Sequence, residues 1–515
     1  MVAVGPAAKP AAAAQTAPAS PVVQAAFADP ERLPTPREVG PEIKPGGDAP
    51  AKPKDAPAIQ GSPANTGGPL ALEEVLAAVE QHYPLLRAVE LERATTGGRL
   101  LTTLGAFDHN LSASAEGQGP ATYENFRSNV AISRGLPIAG LGVFAGYRNG
   151  YGEFPTYSLG QKTADGGEFR AGVSVPLLRD RAIDRPRAAV RQAGIDVALA
   201  EPTIERQRLD FRRAAARSYW NWVGAGYRLK VAKTLLSLAV ERDDQLKARV
   251  EIGPAANIER VDNQQNIALR NGLRVQAERA FQQATVDLSL FLRDEAGNPT
   301  LASEGRLPQK FPALAPVDAA TFEEALRTAF DLRPEPRRLK LLRDKAAVDL
   351  ALAENQVMPT LNAVVAGTQD VGFGKSSLSG PNGLDRSSLN AGLMFALPVE
   401  RRDALGRVAT ARAQLAQLDF QLRNAEDVVR ADVQDTFSAL ERAHEFARQA
   451  KARVDLARVV AAAEREQLRL GRSDVLRVTL REQAAFDADI IEITAQQDYF
   501  RALADYLAAL GIGGK

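Results

Sequence analysis

The chain has 515 residues, with Lys+Arg 64 against Asp+Glu 63 for a formal net charge of +1, so it carries none of the basic excess that marks a nucleic-acid binder. Cys is absent, which excludes disulfides, thiolate metal sites, a catalytic thiol and an N-terminal lipid-bearing Cys in this form of the chain. No run of about 18 apolar residues occurs, which excludes a transmembrane helix but not a β-barrel, whose strands alternate and escape a hydropathy scan.

The start, Met1 to Pro6, lacks the charged and then apolar pattern of a signal peptide, and Pro18 and Pro21 interrupt the stretch before Ala26-Phe27-Ala28. Residues 1–69 are rich in Ala, Pro and Gly and nearly without aromatics. Such a composition cannot bury enough apolar surface to offset its ordering entropy, and it reads as a disordered, partly extended arm.

Helical periodicity begins at Ala71-Leu72-Glu73-Glu74-Val75-Leu76 and runs out near Pro84; a second helix follows from Leu85 to about Leu104. The same grammar returns about 250 residues later, from Thr321 to Pro334. After each second helix the apolar period changes from 3.6 to 2. The first copy alternates over Asn110–Ala115 and Glu168–Val175, and the second over Thr360–Val365 and Ser388–Phe395, so each copy supplies at least two strands. The first copy carries roughly 30 extra residues between its strands, judged from the two displacements. Asn129–Ser133 and Val143–Tyr147 alternate within this excess, and the pattern fits either an extra hairpin or an extended loop over 127–150. Tyr123, Phe126, Phe144, Tyr147, Tyr151, Phe154, Tyr157 and Phe169 cluster here, as in an interfacial aromatic girdle or a soluble β-core.

Long helical patterns then run from about Asp184 to Leu292 and from Asp403 to Leu510, each broken by one Gly turn, Ile252–Ile258 and Leu470–Leu476. A shift of about 218 residues superimposes them. In the second, Leu415, Leu418, Leu422, Ala425 and Val429 continue through Leu440, Ala447 and Val454 to Ala461, with Val433 and Phe437 beside them. Two apolar seams suit a helix within a wall or barrel. At 1.5 Å per residue the outgoing segment would extend about 100 Å and the return segment about 57 Å, leaving ~40 Å for the shorter helix of each repeat to cover end to end.

The expected domains are therefore the arm 1–69; a first repeat 70–300, with a β-hairpin over 107–176 and a helical hairpin over 184–292; a linker 301–320; a second repeat 321–510, with a β-hairpin over 360–398 and a helical hairpin over 403–510; and a tail 511–515.

The order, spacing and duplication of these parts resemble the outer membrane efflux protein family, the TolC-like channels, over about Leu70 to Leu510. Val175-Pro176-Leu177-Leu178-Arg179 is similar to the family's strand-to-helix passage, and Ala215–Trp222 to its "AYW" segment. The resemblance implies a mainly α chain with a membrane β-region: duplicated long helical hairpins forming a periplasmic α-barrel, and four main strands per protomer in a trimeric 12-stranded outer-membrane barrel. It also implies a homotrimer that meets outer-membrane lipid, a periplasmic adaptor (membrane fusion) protein and an inner-membrane pump. The implied role is a passive duct of a tripartite efflux pump or type I secretion system, gated at its periplasmic tips. A soluble coiled-coil scaffold is the alternative.

The tip residues so implied are Gly253, Pro254, Glu259, Asp262, Gly471, Arg472, Ser473, Asp474, Arg477 and Leu480. The family's acidic constriction pair falls on Arg477 and Leu480, neither of them acidic. Arg477 then either shifts ion preference toward anions or pairs with Glu259 or a neighbouring acid. No phosphate loop, nucleophile elbow or metal cluster occurs, so no catalysis, cofactor or metal is expected. His82, His109 and His444 lie far apart, and the i+4 partner of His444 is Arg448. Asp108 and His109 alone recommend an enzymatic reading.

Overall fold

The structure is a computed structural model that describes residues 68–119, 123–155, 162–252, 257–316, 321–375 and 386–513. The arm over 1–67, Tyr157, and the tip residues Gly253 and Pro254 lie outside the described residues.

The helices are α1 (Leu72–His82), α2 (Pro84–Glu90), α3 (Glu92–Leu104), α4 (Arg185–Ile252), α5 (Asn257–Ser289), α6 (Phe322–Leu332), α7 (Pro334–Gln356), α8 (Arg402–Arg469) and α9 (Val475–Ala509). The strands are β1 (Asn110–Gln118), β2 (Asn125–Gly135), β3 (Gly142–Gly152), β4 (Glu168–Pro176), β5 (Thr360–Asp370) and β6 (Ser387–Ala396). Duplication is plain in the helices: α4 and α8 are each 68 residues, and α5 and α9 are 33 and 35. Pro84 and Pro334 each open a helix, where the missing N–H costs nothing.

The described residues divide into two compact units, one of 94–199 and 340–419, the other of 68–93, 200–339 and 420–513. The first holds a single antiparallel sheet in the order β1-β2-β3-β4-β5-β6. The four expected strands are all present. The excess over 127–150 falls in β2 and β3, so the region expected as one hairpin over 107–176 is two, and four strands become six. Both added strands are interior, hydrogen-bonded on either side.

Strand register puts the alternating residues onto two contrasting faces. Leu111, Ile132, Ala145 and Ala171 share one face with Val173, Val365, Ala391 and Leu393. The opposite face presents Ser112, Asn129, Arg148, Glu168, Thr368 and Ser388. Nothing among the described residues covers the apolar face: Leu111 is 70% exposed and Leu393 70%. Aromatics pair across strands on that face, Phe126 with Tyr151 at 5.3 Å and Tyr147 with Phe169 at 5.1 Å. On the polar face the phenyl ring of Phe144 lies over its register partner Gly172, where a Cβ would come within 2.6 Å of the ring.

The second unit is built on the aromatic segment of α4. Tyr219, Trp220 and Trp222 are buried, Trp220 stacks on Phe500 of α9 at 4.2 Å, and the Tyr219 hydroxyl donates to the Leu70 carbonyl at 2.8 Å. Desolvation raises the Tyr219 phenol above its ordinary range. Each return helix ends against the proline-led joint of a repeat. Tyr83, before Pro84, packs on Phe291 just past α5, and Arg333, before Pro334, donates to the Ala509 carbonyl at the end of α9.

Candidate functional site: the hairpin tips and the charge cluster behind them

The second tip is a helix stop of defined geometry. At the end of α8 the N–H of Arg472 bonds the Gln467 carbonyl at 2.8 Å and the N–H of Gly471 bonds that of Leu468 at 3.0 Å. This is a Schellman pair, and it needs the left-handed residue that Gly471 supplies at φ 70°. Three residues after Gly471, Asp474 caps α9, its carboxylate accepting from the Arg477 N–H at 2.8 Å. Ser473 donates to Glu464, tying the turn to the last helical turns of α8. Arg472, Asp474, Arg477 and Leu480 are exposed and Ser473 half-buried.

Arg477 finds its acid locally: Nε lies 3.5 Å from the Asp474 carboxylate, an i,i+3 pair with both side chains largely in solvent. Of the partners expected for it, the neighbouring acid is the one the structure shows, and that acid is Asp474. Of the first tip, Glu259 stands half-buried in the opening turn of α5, and Asp262 is exposed one turn on. Arg260 approaches Asp243 of α4 at 3.5 Å, and buried Asn263 donates to the Ala239 carbonyl at 3.0 Å, fastening that hairpin to itself.

Behind both tips lies a cluster that sequence reasoning missed. Glu482 of α9 has a side chain only 2% exposed, and it receives an arginine from each of the other three long helices. Arg242 of α4 binds one oxygen at 2.5 Å, Arg270 of α5 the other at 3.3 Å, and Arg465 of α8 approaches at 3.5 Å. Arg270 also donates to the Leu235 carbonyl at 3.0 Å. Desolvation lowers the Arg270 pKa, opposed by the Glu482 charge and hydrogen bond. One signal in the sequence could have revealed the acid. Val478, Glu482, Ala485 and Ala488 form one buried seam of α9, and a carboxylate in such a seam requires a buried cation.

The described residues contain no group of three or more His, Cys, Asp and Glu that could hold a metal ion, and no helix among them is long and apolar enough to cross a membrane.

No family model and no curated protein sequence matches the chain. Solved structures match closely in architecture. The open-state MtrE outer membrane channel of Neisseria gonorrhoeae aligns with a TM-score of 0.63 at 16% identity, over 86% of this chain and 89% of that one. The CmeC outer membrane channel of Campylobacter jejuni aligns at 0.60 and 12% identity, over 91% and 94%. The outer membrane protein VceC of Vibrio cholerae aligns at 0.60 and 14%, over 85% and 96%. Long duplicated helical hairpins with an antiparallel sheet are thus the fold that this chain shares with those solved outer-membrane channels.

Proposed function

We propose that the protein is an outer-membrane exit duct: three copies join their sheets into a barrel in the outer membrane, and their helical hairpins form a conduit in the periplasm. The observation that carries this reading is the sheet. One face is apolar and uncovered, the other polar, and the outer edges of β1 and β6 are unpaired among the described residues. Open edges are untenable in lipid, so such a sheet is completed by other copies. Strands of 9 to 11 residues match the span of a bilayer.

The duct works with a periplasmic adaptor and an inner-membrane pump, of the tripartite efflux or type I secretion kind, which supply the energy while the chain performs no chemistry. The tips are the gate and the adaptor contact. At the second tip, Gly471 through Asp474 set the turn; at the first, Glu259 and Asp262 open the return helix, with Gly253 and Pro254 matching the second turn in sequence alone. Leu480 exposes an apolar side chain one turn beyond Arg477, suited to an adaptor helix. Membrane fractionation followed by planar-bilayer recording tests the reading. Outer-membrane enrichment and discrete conductance steps are expected, and a soluble monomer without conductance rejects it.

Arg477 holds the second tip near neutrality by pairing with Asp474. Its charge cancels that of Asp474, so Arg477→Ala leaves one uncompensated acid per copy and moves the single-channel reversal potential toward cations. An unchanged reversal potential removes Arg477 from this role.

A further inference from the structure

Resting on the outer-membrane channel reading, we infer that the barrel is built from six strands per copy and closes with eighteen strands from three copies, rather than the twelve that the family resemblance implies. The two added strands are structurally indistinguishable from the rest. β2 and β3 are each 11 residues long, and their register runs without a break from β1 through to β4. They also carry the same two faces. Phe126, Val130 and Ile132 of β2 and Ala145, Tyr147 and Tyr151 of β3 extend the apolar face, and both aromatic pairs of that face include a residue of the added hairpin.

The polar face is stitched across the same hairpin. Arg127 of β2 pairs with Glu116 of β1 at 2.9 Å, and Arg148 of β3 pairs with Glu168 of β4 at 2.6 Å. Arg170 of β4 crosses β3, where its register partner is Gly146, to donate to Asn129 of β2 at 2.8 Å. Because β2 and β3 are interior, folding them away would break three ladders and strip β1 from the sheet. Parity permits closure: six strands alternate in direction, so β1 of one copy meets β6 of the next antiparallel, and the apolar faces run continuously around the ring.

Strand number sets width. With strands about 4.8 Å apart and tilted about 40°, eighteen enclose a backbone diameter of about 36 Å, against about 24 Å for twelve. The outer-membrane portion of this duct is therefore porin-like in bore and passes bulkier cargo than a twelve-stranded exit would.

Cryo-electron microscopy of the full chain in nanodiscs, with native mass measurement, counts strands and copies directly. Eighteen strands from three copies is the expected result. Twelve strands from two copies, or twelve from three copies with β2 and β3 outside the wall, overturns the inference while leaving the channel reading intact; a protein that does not enter nanodiscs overturns the channel reading instead. Cross-linking supplies an independent readout, since the native chain has no Cys. Pairs of Cys placed on β1 (Ser112→Cys or Ser114→Cys) and β6 (Ser388→Cys or Asn390→Cys) are expected to give covalent trimers on oxidation in at least one combination. A ladder that stops at covalent dimers contradicts it.

Discussion

Glu482 shows how much one carboxylate can hold. It lies about 12 Å along α9 from its cap, at 1.5 Å per residue, and its two oxygens draw in Arg242 and Arg270, with Arg465 close by. Replacing it by Ala leaves two buried guanidinium groups without a counter-charge, at a cost of about 3–5 kcal/mol. Thermal unfolding in detergent should show a large fall for Glu482→Ala. The triple replacement Arg242→Met, Glu482→Leu, Arg270→Met is expected to restore most of the lost stability, because it removes the buried charges together. This cluster was illegible in the sequence for a definite reason. Glu482 lies 240 and 212 residues from Arg242 and Arg270, and although an acid in a buried seam signals a cation, which arginines reach it depends on the rotational phase of separate helices, which no local pattern encodes. The Arg477 pair differs in kind: it is local, exposed and worth at most about 1 kcal/mol, and the sequence allowed it as one of two alternatives.

At the scale of elements, the turn at Gly471 was readable because its chemistry is local: a helix stop with Gly in the left-handed region, then an Asp cap. Gly471→Ala forces a Cβ into φ 70° and should cost about 1 kcal/mol; Asp474→Ala should cost a similar ~1 kcal/mol through the lost cap. Hydrogen exchange confined to the first turns of α9 and the last of α8 would register both. The strands were only half legible. Period-two alternation over Asn129–Ser133 and Val143–Tyr147 is visible in the letters, but whether two such stretches pair with each other and with β1 and β4 is a non-local matter. Adjacent residues of β5 now test which face meets lipid. Val365→Arg, on the apolar face, should cost about 2–4 kcal/mol near the bilayer midplane and block insertion. Val364→Arg, on the polar face, should insert normally, as read by heat-modifiable mobility of the folded barrel.

Across the whole molecule, duplication was the most legible property, since it is written in spacing and needs no knowledge of contacts. Less visible was how the repeats are fastened. In the second unit, Arg206 of α4 and Arg333 both grip Glu335 at the start of α7, and Arg333 also reaches Asp432 of α8 at 3.1 Å. Burial alone would raise the Glu335 pKa, but the Arg333 hydrogen bond and charge, with Arg206 beyond, outweigh it and hold the carboxyl below its ordinary value. Glu201 is likewise lowered by its hydrogen bond with Arg93. A depressed folded-state pKa contributes stability above the unfolded value, about 4.3 for Glu, and loses it as pH falls through the folded value. Melting temperature should therefore drop below about pH 4, and Glu335→Gln should flatten that drop while lowering stability at neutral pH.

Under the proposed exit duct, the outer edges of β1 and β6, unpaired among the described residues, also constrain the protein's birth. A lone copy entering the bilayer would carry two rows of unsatisfied amide and carbonyl groups into hydrocarbon, each costing several kcal/mol. Folding of the sheet and association of the copies are then one event at the membrane surface, so insertion should accelerate with a power of protein concentration above the first.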